Sequence, residues 1–172
     1  MSTHLVPEVV VDTTSDAYRQ EIIAKARNLC HEYKLKGYHC SESSIRACSE
    51  ALDLHLSEDV IRCASGFRGG GGGYRDRCGI IEAGCMLISY LYGRLSPHQE
   101  IWTYSYLIRV LHERFQQNLS SIYCRDILGP EIERGADPVC MRTYEIGAET
   151  VVTLLLDAEE LLANIPEEEK DI

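Results

Sequence analysis

No stretch of this 172-residue sequence approaches the roughly 18–20 consecutive apolar residues that a membrane span needs, so no membrane insertion is expected. Positive charge is also scarce: 17 Lys and Arg stand against 27 Asp and Glu, for a net charge of −10. Binding a phosphate backbone takes several neighbouring cations, and the densest basic stretch, Arg68, Arg75 and Arg77, is too short for that. Nucleic acid is therefore not an expected partner, and these arginines read as local charge beside a glycine run. Met1 to Ser15 lacks a basic region followed by an apolar core, since Val9 to Val11 is only three residues. The expected location is the cytoplasm.

The familiar cofactor motifs are missing too. Without Cys-x-x-Cys, neither a thioredoxin-type dithiol nor a zinc knuckle follows from spacing. Without Cys-x-x-Cys-His there is no haem c, and the ferredoxin spacings are absent. The glycine run contains no match to Gly-x-Gly-x-x-Gly and no Gly-Lys-Ser/Thr follows it, so no nucleotide is expected. No His-Glu-x-x-His occurs, and His112-Glu113 reads as a polar helix edge. Paired alternating runs joined by hairpin turns are lacking, which argues against a sheet.

What the sequence does have is eight cysteines: Cys30, Cys40, Cys48, Cys63, Cys78, Cys85, Cys124 and Cys140. In a reducing compartment such a count points to metal binding or redox chemistry rather than disulfides. The alternative is that some are buried free thiols packing as small apolar residues. A chain of this length buries enough surface to fold without a metal or disulfide staple.

The apolar period is helical throughout, and the expected fold is all-α: one single-domain multi-helix bundle over residues 1–172, with residues 1–12 and 166–172 poorly ordered. Thr13 with Asp16 resembles a capping box, followed by the face Ile22, Ala26, Leu29, Cys30, Tyr33 and a stop at Gly37. A second helix starts near Cys40 and carries Ile45, Cys48 and Leu52. A short third starts at Ser57. The five glycines Gly69 to Gly73 form an obligatory loop. Helices then follow over Cys78 to Tyr92, from Ser96-Pro97 through Phe115, over Ser121 to Leu128, and from Asp137-Pro138 to Asn164, with Gly147 a weak point. Trp102 and Tyr106, four apart, are a candidate homodimer face.

Cys40, Cys78, Cys124 and Cys140 fall at or near helix starts, where unpaired N–H groups and partial positive charge favour thiolate. The other four lie within helical faces. Cys78 and Cys85 are about 10 Å apart along one helix, and Cys40 and Cys48 about 12 Å, too far to share one ion at thiolate bond lengths near 2.3 Å. Any joint site must be assembled from different helices.

Cys40-Ser41-Glu42-Ser43, Ala64-Ser65-Gly66-Phe67 with the glycine run, Cys78-Gly79, Cys124 to Gly129 and Cys140 together resemble the C-GCAxxG-C-C family of redox-active proteins, over roughly Ala17 to Thr150. The four defining cysteines fall on Cys40, Cys78, Cys124 and Cys140. Where the family has Cys-Gly-Ala-x-x-Gly, this chain reads Cys78-Gly79-Ile80-Ile81-Glu82-Ala83, so Ile80 fills space where the family has a small side chain. The resemblance implies a redox role. Relatives include split-Soret cytochromes, which carry haem and an iron–sulfur centre on a similar helical unit; only the cysteine-bound centre carries over.

The leading expectation is an iron–sulfur cluster held by Cys40, Cys78, Cys124 and Cys140 for electron transfer to an unknown redox partner. Backbone groups of Gly70, Gly71, Gly72, Gly73 and Gly79 would approach the cofactor. The alternatives are a metal-free thiol–disulfide oxidoreductase using two of the four, for example Cys78 and Cys124, then a zinc site or a helical interaction protein. His39 beside Cys40 is a further candidate ligand.

Overall fold

A computed structural model describes residues 15–129 and 138–170 of the chain. The fold is all-α, with eight α-helices among the described residues: α1 Asp16–Leu35, α2 Cys40–Ala51, α3 Glu58–Cys63, α4 Gly79–Tyr92, α5 Trp102–Leu119, α6 Cys124–Leu128, α7 Pro138–Leu156 and α8 Ala158–Ala163. Short 3₁₀ turns follow at Ala64–Phe67 and Glu167–Glu169. The only pairing of extended backbone among the described residues is one antiparallel bridge, Arg77 to Tyr123.

Local chemistry sets most boundaries. Ser15 caps α1 by accepting from the Tyr18 N–H, a role expected for Thr13, which lies outside the described residues, as does Asp137. Ser57 caps α3 through the Val60 N–H, and Gly37 ends the first helical segment at φ +96°. Two expectations are corrected. Ser96 to Gln99 forms only a capped turn, in which Gln99 Oε1 accepts from the N–H groups of Leu95 and Ser96, and α5 begins at Trp102. The long last helix breaks at Asp157 rather than running to Asn164.

Helices α1, α2, α4, α5 and α7 enclose the core. Helix α1 packs mainly on α7 and α2, while α4 packs on α2 and α5 and touches α7. Ile45, Ile80, Ile81, Leu87, Leu107, Leu111, Phe115 and Leu154 are fully buried there. Two-thirds of helix α2 is Ser, Ala and Cys, and Ser41, Ser43, Ser44, Ala47 and Cys48 are all buried, so its neighbours approach closely. Gly147 sits inside α7 at such a contact: a Cβ there would come 2.8 Å from Ile80 Cγ2 and 3.2 Å from Phe115.

Candidate functional site

Each of the four expected cysteines begins a helix. Cys40 is the first residue of α2, Cys78 the residue preceding α4, Cys124 the first of α6 and Cys140 the third of α7. The fold points these helix starts at one place, and all four cysteines line a single cavity of about 60 Å³. That is more room than the 10–15 Å³ or so one water needs. His39, Arg68 and Gly69 line one side; Ile127, Leu128, Thr143 and Tyr144 line the other. Cys78 and Cys124 are buried, and Cys40 and Cys140 half-buried. All eight cysteines are free thiols. Cys30 and Cys48 are core residues, Cys63 is exposed, and Cys85 lies on α4 away from the cavity wall.

The glycine run explains how these groups meet. Gly69 to Gly73 all have φ between 57° and 103°, a left-handed turn that side-chain-bearing residues rarely adopt. The turn's own carbonyls take most of its donors: Gly71 donates to Phe67, Gly72 to Gly66 and Gly73 to Arg68. Of the five, only Gly69 lines the cavity, its N–H donating to Cys40 Sγ at 3.3 Å, while Gly70 packs against the Asp76 backbone. The loop then delivers Arg75 to Cys78 alongside Ile122 to Arg125: Cys78 N–H donates to Ile122 O at 2.9 Å and Cys124 N–H to Asp76 O at 2.8 Å. Cys78 and Cys124 are thus diagonal neighbours on one face of this ribbon, a relation that usually separates Cα atoms by about 7–8 Å. Gly79 completes the approach, since a Cβ would come 2.7 Å from Cys40 Sγ and 2.6 Å from Phe67 O.

The electrostatics run against the expected thiolates. Burial pushes the Cys40 thiol up; the N–H groups of Gly69, Ser41 and Gly79 pull it back only in part. Cys78 is driven well up by burial and then by Cys40, against the N–H groups of Ile80 and Ile81. Desolvation outweighs the helix starts, so the bare cavity favours protonated thiols. Tyr144 is also raised, first by burial and then by Cys40 and Cys140.

Other residues weighed from the sequence have structural engagements. Glu82 takes the Arg77 guanidinium at 2.6 Å, and Arg77 also donates to His112 Nε2 at 3.4 Å. His39 is exposed at the cavity, and its N–H donates to Glu42 Oε2 at 3.0 Å. Trp102 lies under the Lys170 ammonium, and Tyr106 lines a separate cleft with Arg114 and Asp157. Arg68, Thr143 and Tyr144 were not singled out as site residues. Tyr144 had a signal, since it lies one turn beyond Cys140 on the same helix face.

Comparison with known families covers the region that holds the cavity. Residues 38–154 match the family described as putative redox-active protein (C_GCAxxG_C_C), a span that covers more than half of the chain and all four cavity cysteines. The chain belongs to that family. No curated protein and no solved structure matches it. Family membership and its cysteines give the chain a cysteine-based redox role. No helix among the described residues is long and apolar enough to cross a membrane.

Four thiols are the donor set that iron–sulfur clusters take. Among the described residues no three His, Cys, Asp or Glu side chains are grouped to hold a single ion.

Proposed function

We propose that Cys40, Cys78, Cys124 and Cys140 hold an iron–sulfur cluster and that the protein transfers electrons. The observation that carries this reading is the convergence of four helix-start cysteines on one cavity. Bound there, a cluster would accept and release single electrons. The chain's own groups supply the rest. Gly69 N–H donates to Cys40 Sγ, and such donation to a ligand sulfur raises the potential of the centre. Ile127, Leu128 and the Tyr144 ring keep the site apolar. Raised thiols fit a coordinating role better than a nucleophilic one, because coordination removes the proton that burial otherwise retains.

The second reading is a metal-free dithiol–disulfide couple between Cys78 and Cys124, favoured by their adjacency on the ribbon. A diagonal separation of about 7–8 Å exceeds the usual disulfide Cα distance, so the ribbon would have to shift to close the bond.

Anaerobically purified protein separates the two. A cluster gives broad visible absorption with stoichiometric iron and sulfide, lost in Cys124→Ser while the far-UV helical signal stays. Colourless, metal-free protein that loses two free thiols on mild oxidation and regains them with dithiothreitol supports the couple instead.

A further inference from the structure

Among the described residues, Arg68 lines the wall of the thiol cavity and no Asp or Glu does, although the whole chain carries −10. Arg68 is exposed and belongs to the turn whose Gly69 N–H reaches Cys40 Sγ. Five residues beyond the start of the glycine run stands Tyr74, 81% exposed, followed by Arg75. Neither Arg68 nor Arg75 makes an ion pair among the described residues, whereas Arg77 is held by Glu82, and Arg125 lies 3.9 Å from both Asp76 and Asp126. The glycine turn beside the thiols therefore carries Arg68 at the cavity and Tyr74 and Arg75 next to it, with Arg75 N–H donating to Gly69 O at 2.9 Å. Arg and Tyr are the residues enriched at protein interfaces. A hydrogen-bonded link runs from this surface to the cysteine, because Arg75 N–H donates to Gly69 O and Gly69 N–H donates to Cys40 Sγ.

We infer that Arg68, Tyr74 and Arg75 form the docking surface for an acidic one-electron carrier protein, an inference that rests on the redox reading above. The carrier's carboxylates meet Arg68 and Arg75, its apolar surface meets Tyr74, and one electron passes between the carrier and the cysteine centre without a bond being made or broken. At about 0.1 M salt the Debye length is near 10 Å, so the remote acidic charge is screened while the local arginines still steer approach.

Two protein probes of one size and opposite charge test this: native ferricytochrome c, which is basic, and its succinylated form, which is acidic. Each takes one electron and becomes ferrocytochrome. The dithionite-reduced, desalted protein is mixed with each at about 0.1 M salt. The expected result is faster reduction of the succinylated probe, slowed by added salt, with the preference reversed in Arg68→Glu/Arg75→Glu. A rate change on the order of tenfold is the scale for such steering. Preference for the native probe, or an unchanged preference in the double variant, overturns the docking surface while leaving the redox centre standing. No electron delivered to either probe overturns both. The variant's thermal unfolding and visible spectrum are measured alongside; if both match the parent protein, the loss lies in docking rather than folding.

Discussion

Ile80 and Gly147 are a matched pair across α4 and α7. Ile80 stands where the family carries alanine, and its extra carbons go not into the thiol cavity but against the bare backbone of Gly147. Gly147→Ala should gain about 1 kcal/mol of helix propensity yet lose about 1–3 kcal/mol to overpacking, a net destabilisation in urea unfolding. In an Ile80→Ala background the same change should be neutral or stabilising. A cycle with no coupling between the two sites would refute the pairing. Gly79 is constrained by the site itself. Gly79→Ala should cost about 1–3 kcal/mol and displace Cys40, read as faster alkylation of Cys40 and weaker iron retention. If Cys40 keeps the parent's alkylation rate, the close approach of α4 to the loop is not what positions its sulfur.

At the scale of elements, the break between α7 and α8 shows what one sequence hides. No glycine or proline marks it. Asp157 sits at the break and receives two guanidinium groups: Arg114 at 2.6 Å from α5, and Arg19 from α1, which also donates to Leu156 O at 3.0 Å. The turn is thus made by partners 43 and 138 residues away, which no local pattern reveals. Asp157→Ala should cost about 1–2 kcal/mol, because charged hydrogen bonds are lost at a partly exposed site, and should lower the melting temperature. An unchanged melting temperature would mean the helix break is set by something else. Ser96-Pro97-His98-Gln99 misleads for the opposite reason. Its capping chemistry is genuine, but one turn satisfies it, and the chain resumes helix only at Trp102. Where chemistry and periodicity coincide, as at Ser57, Cys40 and Cys78, the helix starts were legible. The placement of the four cysteines at separate helix starts was legible too, but that their side chains line one cavity is a product of tertiary packing that spacing does not reveal. Arg68 was harder to read, since nothing in an Arg before glycines distinguishes a cavity wall from a surface, whereas Tyr144 was signalled only by its place one turn beyond Cys140.

For the molecule as a whole, buried thiols tie stability to alkaline pH. Burial raises Cys30, Cys40 and Cys78, and pushes Cys48 and Cys85 from an ordinary value near 9 to about 12. A raised acid keeps its proton in the folded chain after the unfolded chain has released it. Below pH 9 both states are protonated and stability is fully present. Between about pH 9 and 12 Cys48 and Cys85 each cost about 1.4 kcal/mol per pH unit, and Cys30, Cys40 and Cys78 add to the loss. Domains hold only about 5–15 kcal/mol in total, so several thiols acting together should unfold the reduced, metal-free protein well before pH 12. Urea unfolding under strong reductant at pH 8, 9 and 10 should show a steepening loss, and Cys48→Ala, though less stable at pH 8, should show a shallower slope. A flat profile through pH 10 would mean these thiols are less desolvated than their burial implies. A cluster held in the cavity, as proposed, would make Cys40 and Cys78 thiolates in the folded state already, so a loaded protein should lose less stability over the same interval. A loaded and an unloaded sample with equal slopes would place the metal somewhere other than these cysteines.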